Sequence, residues 1–229
     1  MHIPDGYLGP ATSGVMYAVM LPIWTAASRI AKRTLKAKQV PLLAISAAFS
    51  FVIMMFNVPI PGGTTGHAVG AVLTAILLGP WAACIVVTVA LVVQALLFGD
   101  GGITAIGANC FNMAFVEVFA GYYLYKLISG SSPVIFRRRV IAAGAAGYIA
   151  LNIAALTTAV MFGIQPLLHR APGGESLYCP YGLNVAVPVM LGEHLLIFGW
   201  VEAAITASVI KYLQKQDPGL LEAQEEVSI

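Results

Sequence analysis

The chain has 229 residues, of which 59% are hydrophobic and only 10% are charged, whereas typical soluble domains carry about 25% charged residues. A soluble fold of this length cannot bury so much apolar surface, so the composition excludes an ordinary soluble domain and predicts an integral membrane protein. The formal net charge is +2, which gives no electrostatic basis for binding nucleic acid.

The cysteines and the start of the chain indicate whether disulfides or a signal peptide are expected. Cys84, Cys110 and Cys179 form no CxxC spacing, and the first two lie in apolar runs. We interpret these two as small core residues and expect no disulfide framework. The segment from Met1 to Gly6 has no basic residues ahead of an apolar run, so we expect no signal peptide and predict Met1 as the mature N-terminus.

Seven apolar stretches follow one another along the chain and predict an all-α membrane protein with seven transmembrane helices. They run over Ala11–Arg29, Val40–Asn57, His67–Gly79, Trp81–Phe98, Thr104–Ile128, Val140–Gly163 and Val185–Tyr212. A span needs about 20 residues, with a range of about 17–25, and only the third stretch is clearly short. We therefore expect a single membrane domain over residues 1–213 and a short cytoplasmic tail over residues 214–229.

Basic residues predict the orientation of these spans. With seven spans, every Lys and Arg except Arg170 falls on one side of the membrane, and six or eight spans would scatter them. Because basic loops remain in the cytoplasm, the N-terminus is expected outside and the C-terminus inside. The outer face then collects four unusual segments, and we expect function there. They are Met1–Tyr7, Asn57–His67, Gly99–Gly102 and Ile164–Asn184.

The first two residues can chelate a metal ion. The Met1 amine, the His2 amide nitrogen and the His2 imidazole would close a five-membered and a six-membered ring in one plane. A fourth nitrogen would complete a square plane, which suits Ni(II) or Cu(II) better than zinc or magnesium. Such ligands must be deprotonated, so the site would weaken in acid. Taken alone, a histidine at position two is more often a mobile terminal residue.

His67 is the candidate for the fourth nitrogen. It follows a Gly/Pro-rich segment and opens the short third span, and interrupted short segments mark binding sites in transporters. Gly62, Gly63 and Gly66 are expected to allow positive φ and close approach to the inserted N-terminus. The turn Pro4–Gly6 is expected to stiffen the chain behind the chelate. The alternative is that His67 is a satisfied residue at a helix interface.

Polar residues within the spans allow two interpretations. Gln94, Asn109 and Asn112 either hydrogen-bond the Gly/Pro-rich loop ahead of His67, which we expect to dip into the protein, or join helices to one another, and we favour the second.

Ionisable residues within the spans are costly and therefore candidates for function. Among these, His194, next to Glu193, is a rival or supporting metal ligand. Glu117 and Glu202 mark either an exit path, a partner contact or hydrogen-bonded structural groups. The sequence leaves these alternatives open.

Signatures of nucleotide hydrolysis and of common catalytic sites are absent from the sequence. The chain contains no GxxxxGK[ST], HExxH or GxSxG pattern, so we do not expect an enzyme. A binding protein without its own energy source must bind only, conduct passively or work with partner subunits.

Several segments resemble the CbiM/NikM family, whose members are substrate-capture (S) components of energy-coupling-factor (ECF) importers for nickel and cobalt. The resemblance covers the chain up to about residue 213. Two departures are Val58, where an aromatic residue is more common, and the loop Pro172–Asn184, which does not align confidently. The matching segments are MHIPDGYL (1–8), NVPIPGGTTGHAVGAVL (57–73), LLGP (77–80), QALLFGDGGITAIGANCFNM (94–113) and GEHLLIFGWVEAAIT (192–206).

The resemblance implies a function and a set of partners. It implies Ni²⁺ or Co²⁺ as transported substrate, held by the Met1 amine, by the His2 amide and imidazole, and by the His67 imidazole. It implies a six-helix S-component core with one extra N-terminal helix in a prokaryotic cytoplasmic membrane. Partners would be a transmembrane coupling subunit and ABC-type ATPases, and a small accessory membrane protein is a further candidate partner. Ala44 and Ala48 become candidates for the coupling face.

Three function classes remain open at this point. The leading hypothesis is nickel capture, with cobalt as the close rival because the ligand set is the same. An intramembrane metalloenzyme would need an open coordination position and a general base, and a passive channel or structural protein would not retain metal tightly. Supporting contacts are expected from Asn57, Thr65, Asp100, Asn109 and His194.

Overall fold

The computed structural model describes residues 1–35, 37–60 and 64–227, and these form a helical protein with one small hairpin. Its strands, β1 (Val58–Ile60) and β2 (Thr64–Gly66), pair antiparallel. Its helices are α1 (Pro10–Thr34), α2 (Val40–Met55), α3 (Ala71–Leu78), α4 (Pro80–Val93), α5 (Ile106–Asn109), α6 (Val118–Ser129), α7 (Arg137–Gly163), α8 (Gln165–Leu168), α9 (Leu183–Glu193), α10 (Gly199–Gln216) and α11 (Pro218–Val227).

Four helical segments are long and apolar enough to cross a membrane, and α2 is a shorter apolar helix. The four coincide with the first, fourth, sixth and seventh predicted stretches, which confirms the membrane class. They are Pro10–Thr34, Pro80–Phe98, Arg137–Leu168 and Leu183–Gln216.

Helices α1, α7 and α10 run past the predicted stretches at their basic ends. They reach Thr34, Arg137 and Gln216 instead of Arg29, Val140 and Tyr212. Hydropathy marks the edge of the hydrocarbon, whereas Lys and Arg continue a helix readily and extend their charged ends to the interface.

The third predicted span is wrong at its start, because α3 begins at Ala71 rather than at His67. Residues just ahead of His67 are held in β2. Gly70 then takes φ 72°, a left-handed conformation that favours glycine and breaks the helix. His67 therefore lies between β2 and α3, four residues before the helix begins.

Three π-helical stretches interrupt the helices within the described residues. Gln94–Phe98 extends α4, Cys110–Glu117 joins α5 to α6, and His194–Phe198 joins α9 to α10. Each contains buried polar side chains, Gln94 and His194 among them. Such insertions rotate the following residues relative to a regular α-helix and are frequent at functional sites.

Helix α7 is the central element and packs against α6, α9 and α10. Its buried face is made of small residues, among them Ala150 and Ala154 at 0% exposure, which lets the neighbouring helices approach closely. Helix α3 is buried along its whole length beside α4, α6 and α7. Cys84 and Cys110 are fully buried free thiols, as predicted.

Most of the predicted tail 214–229 is helical. Helix α10 continues to Gln216, and α11 begins at Pro218 after one intervening residue. Leu221 on α11 is 7% exposed and joins the core cluster, so this segment packs back onto the bundle. Ser228 and Ile229 lie outside the described residues.

Candidate metal centre

The first three residues lie inside the protein. Met1 and Ile3 are fully buried, and His2 is 3% exposed. The Met1 amine donates a hydrogen bond to the Thr65 carbonyl, and Thr64 Oγ1 donates to the His2 carbonyl over 3.0 Å. The N-terminal segment therefore lies beside β2, immediately before His67 in the chain. Thr65 contacts it through the main chain.

Asn109 in α5 holds the N-terminal segment by its backbone. Its Oδ1 accepts from the Ile3 N–H at 2.9 Å, and its Nδ2 donates to the Ile3 carbonyl at 3.2 Å. These bonds are to the N-terminal segment and not to another helix, so the interpretation that Asn109 joins helices is wrong, whereas its predicted supporting role remains a proposal. Asn112 fits the helix-joining interpretation better, because its Nδ2 donates to Met161 Sδ on α7 over 3.5 Å.

The predicted turn Pro4–Gly6 is present and is anchored by Asp5. Gly6 takes φ 82°. The Asp5 carboxylate accepts from Thr104 Oγ1 at 2.5 Å, from Thr104 N–H at 2.9 Å and from Ile103 N–H at 3.1 Å. These hydrogen bonds, led by the Thr104 side chain, lower the pKa of Asp5. The turn thus fixes the first residues from behind.

The segment Gly99–Gly102 closes around the same residues. Asp100 Oδ1 lies 3.4 Å from His2 Nδ1, and Asn57 Nδ2 donates to Asp100 Oδ2 at 2.9 Å. Burial raises the pKa of Asp100. A side chain at position 102 would meet the Asp5 Cα within 2.8 Å, so this close approach requires glycine.

The His2 ring is fixed in one tautomer by Gln94. His2 Nε2 lies 3.2 Å from Gln94 Oε1, and the Gln94 amide nitrogen is oriented by donating to the Phe51 carbonyl. An amide oxygen only accepts, so Nε2 carries the proton and Nδ1 keeps its lone pair. His2 Nδ1 is buried and has no hydrogen-bond partner among the described residues. It is also the nitrogen that can close a six-membered ring with the His2 amide.

The His67 ring presents a free lone pair in the same way. Its Nδ1 lies 3.0 Å from the Ala68 carbonyl, which only accepts, so Nδ1 is the protonated nitrogen. Its Nε2 is buried and, within the described part of the chain, unpartnered. The His2 and His67 ring centroids are 4.5 Å apart with an interplanar angle of 31°. Orphaned buried polar atoms are rare and call for an explanation.

Burial also sets the protonation state of the first two residues. It lowers the pKa of the Met1 amine from 8.0 to about 5 and, together with the nearby amine, lowers the pKa of His2 from 6.5 to about 3. At neutral pH both groups are therefore uncharged. The approach of His2 to Asp100 is consequently no ion pair, and the lone pairs of both nitrogens are available to a cation.

The donor set is unusual because side chains alone do not complete it. Within residues 1–35, 37–60 and 64–227, no three His, Cys, Asp or Glu side chains are grouped closely enough to hold a metal ion. A metal here would need the amine and amide nitrogens of the N-terminus in addition to the two imidazoles.

The loop 164–184 covers the N-terminal segment. The Cys179 N–H donates to the Tyr7 carbonyl at 3.1 Å, and the Gly9 N–H donates to Gln165 Oε1 at 3.0 Å. A cavity of about 210 Å³, lined in part by Thr64, Cys179 and Met190, lies at this boundary. The loop thus holds the N-terminus in place and leaves a small space beside it.

His194, proposed as a rival or supporting ligand, lies at the start of a π-helical stretch and next to Glu193. His194 Nδ1 donates to the Met190 carbonyl at 2.8 Å and lies 3.4 Å from Glu193 Oε1. Its Nε2 is buried without a partner among the described residues. His194 is near enough to interact electrostatically with His67, so it remains a candidate for a supporting role.

Glu202 has a structural role that the sequence left open. Its Oε2 accepts from the Val69 N–H at 2.8 Å and from the Gly70 N–H at 3.0 Å, just ahead of α3. A carboxylate at this position satisfies donors that a helix start leaves unpaired. Glu117 differs, because both of its oxygens are buried and unpartnered in the described chain.

Replacing Glu202 by Leu is expected to destabilise the fold. Two buried N–H groups would lose their acceptor, at a cost of about 2–5 kcal/mol in unfolding free energy. Thermal unfolding in detergent would measure the loss. Glu202→Gln is the matched control, because its amide oxygen can still accept. Equal melting temperatures for Glu202→Leu and the native chain would exclude this role.

Several contacts escape sequence reasoning. Gln94, Thr64 and Gly102 touch the first three residues from three separate segments. Nothing in the local pattern distinguishes Thr64 or Gly102 from other loop residues. Gln94 was noted as a polar residue within an apolar span, but its contact with His2 was not predicted. Gly66, expected at positive φ, is extended, and a side chain there would overlap the Phe198 ring. Gly62 and Gly63 lie outside the described residues.

Comparison with known proteins places this arrangement in a family. Residues 2–220 match the family described as "Cobalt uptake substrate-specific transmembrane region". The chain is 52% identical to the fused nickel transport protein NikMN of Rhodobacter capsulatus over 221 residues, covering 96% of this chain and 64% of that relative. It therefore spans less than two thirds of the length of that relative.

Solved structures share both the fold and much of the sequence. A crystal structure of a transition metal transporter superposes with a TM-score of 0.90 at 51% identity, covering 99% of both chains. A truncated transition metal transporter superposes with a TM-score of 0.89 at 54% identity, covering 93% of this chain and 98% of the other. The chain therefore belongs to the CbiM/NikM family of cobalt uptake substrate-specific transmembrane regions.

Proposed function

We propose that this chain is the substrate-capturing component of a nickel importer and binds Ni²⁺ through Met1, His2 and His67. One observation carries the proposal: the ring centroids of two buried imidazoles, His2 and His67, lie 4.5 Å apart. In each ring one nitrogen makes a hydrogen bond and the other is unpartnered among the described residues. With the Met1 amine and the His2 amide nitrogen, His2 Nδ1 and His67 Nε2 would supply four nitrogen donors to one ion.

The donor set favours binding over catalysis. Four nitrogens in a plane suit Ni(II), and a catalytic metal would need an open position for substrate together with a general base. Binding would release the His2 amide proton, so affinity falls as the pH is lowered. Asp100 lies 3.4 Å from His2 Nδ1 and would balance part of the charge of the bound cation.

The names of the relatives favour nickel over cobalt, and the planar nitrogen set favours nickel in the same direction. The similar fused protein is named a nickel transport protein, whereas the family description names cobalt. Intrinsic affinity ranks Co²⁺ below Ni²⁺ and both below Cu²⁺, so selection against copper must come from the shape of the site and from metal supply.

The proposed topology has seven spans with the N-terminus outside and the C-terminus inside a prokaryotic cytoplasmic membrane. It assigns residues 1–213 to one membrane domain. Its support is that Lys and Arg cluster at the end of α1, at the start of α7 and at the end of α10, which alternating spans would bring to one side.

Energy is proposed to come from an ECF coupling subunit and ABC-type ATPases, because the sequence has no nucleotide-binding motif. Ala44 and Ala48 lie on the exposed face of α2, where small residues would let a partner helix approach closely. A small accessory membrane protein fits the same assembly.

Uptake of radioactive nickel into cells or vesicles tests this function. We expect accumulation when the chain is produced with its coupling and ATPase subunits, and none when the ATPases carry an inactivated nucleotide site. Accumulation of Ni²⁺ that is independent of the ATPases would overturn the importer proposal in favour of a passive channel. Competition with Co²⁺ in the same assay decides between the two metals.

Gln94→Met is expected to weaken nickel binding by about tenfold to a hundredfold, the range found when groups that orient metal ligands are removed. The variant keeps side-chain volume but removes the oxygen that holds the proton on His2 Nε2. Calorimetric titration with a competing chelator would measure the change. Gln94→Glu retains an acceptor and should bind more tightly than Gln94→Met. Unchanged affinity in Gln94→Met would show that tautomer control by Gln94 is unimportant.

A further inference from the structure

A groove of about 970 Å³ runs along the outside of α7 and α10, away from the metal centre. The two helices approach closely at Gly144: a Cβ added to this residue would lie only 3.3 Å from the Ala207 Cβ. Small side chains therefore form the floor, and exposed Ile141 and Ile149 border it. The floor residues are Gly144, Ala145, Ala203, Ala204 and Ala207.

One end of the groove carries two exposed cations. Arg137 is the first residue of α7 and Lys211 lies in the last turns of α10, and both line the groove. Gln214 fixes this end by donating to the carbonyls of Val134, at 2.5 Å, and Phe136, at 3.1 Å. No ion pair within the described residues engages Arg137 or Lys211. The two charges are therefore available to an anion.

The other end is closed by aromatic side chains. The Tyr148 and Trp200 ring centroids lie 4.8 Å apart, and the Tyr148 hydroxyl donates to the Leu195 carbonyl at 2.9 Å. From Arg137 to Tyr148 the helix rises about 16 Å, at about 1.5 Å per residue. This is about half of the roughly 30 Å hydrocarbon core, so the groove matches the depth of one membrane leaflet.

We propose that this groove binds an anionic phospholipid, with an acyl chain along the small-residue floor and the phosphate against Arg137 and Lys211. Basic pockets between transmembrane helices on the cytoplasmic side recognise anionic headgroups. A partner helix would need a groove of full membrane depth, and two unpaired cations at its mouth would oppose its entry. The proposal concerns a separate site and does not depend on metal binding.

Fluorescence of Trp200 in reconstituted protein provides the test, in a background carrying Trp24→Phe and Trp81→Phe. Brominated phosphatidylglycerol should quench Trp200 at much lower mole fraction than brominated phosphatidylcholine. Removing both cations with Arg137→Gln and Lys211→Gln should reduce this preference about thirtyfold, because each basic residue near an anionic headgroup contributes about fivefold.

Two control variants distinguish specific lipid binding in the groove from non-specific attraction of anionic lipid to surface charge. Arg29→Gln with Lys32→Gln removes the same charge from the exposed end of α1 and should leave the preference unchanged. Ala204→Phe fills the groove at an exposed position and should abolish retention of phosphatidylglycerol in native mass spectra. Equal quenching by the two lipids would overturn the proposal, as would an equal effect of the α1 pair. Protection of Trp200 only when the coupling subunit is present would assign the groove to a protein partner instead.

Discussion

Adding residues before Met1 is expected to reduce nickel content from stoichiometric to near background. An extension converts the Met1 amine into an amide and removes one donor. It also has no space, because Met1 is fully buried and its nitrogen is hydrogen-bonded to Thr65. Burial keeps the pKa of the amine at about 5, so the native terminus offers a neutral lone pair that an amide nitrogen lacks. Metal analysis by mass spectrometry after purification in detergent measures the loss.

The matched control is the same fusion before and after a protease releases Met1 without extra residues. Cleavage should restore full nickel content, and an equal extension at the C-terminus should leave it unchanged. If the uncleaved fusion retained a full complement of nickel, the amine would not be a ligand, and the site would have to be sought around His67 and His194.

Replacing His67 by Ala is expected to lower nickel affinity by more than about a hundredfold. Groups that only orient a ligand already contribute about tenfold to a hundredfold, and His67 is proposed to donate directly through Nε2. That nitrogen is buried and unpartnered in the described chain. The substitution also removes the hydrogen bond from His67 Nδ1 to the adjacent Ala68 carbonyl. Calorimetric titration on protein with a native N-terminus measures the change.

His194→Ala tests the rival assignment in the same experiment. His194 also has a buried unpartnered Nε2, but its ring is not stacked on His2. We expect a reduction of less than about tenfold, the lower limit for an orienting residue. Abolished binding in His194→Ala with intact binding in His67→Ala would exchange the two roles.

Long apolar helices were the part of the fold best predicted from sequence. Hydropathy placed four spans correctly, and α1, α7 and α10 extend past the predicted stretches at their basic ends. The start of α3 is set by the left-handed Gly70, and Glu202, far away in the chain, accepts from Val69 and Gly70 at this point. The second contact has no local signature, so the short span could be recognised but its boundary was missed.

The candidate site was also predicted only where local sequence carries a signal. Position two and the Gly/Pro-rich segment singled out His2 and His67, and the structure brings their rings within 4.5 Å. The tautomers were not predictable, because Gln94 reaches His2 only through the π-helical turn at the end of α4. Asn109 was expected both in helix packing and as a supporting contact, because sequence cannot show that its two amide atoms face the Ile3 backbone.

X-ray absorption at the nickel edge of the purified, nickel-loaded chain tests the central claim most directly. Ligation by Met1, His2 and His67 predicts four nitrogen neighbours, an edge feature typical of a square plane and outer-shell scattering from two imidazoles. A six-coordinate, oxygen-rich spectrum, sulfur neighbours or a single imidazole would contradict the proposed site.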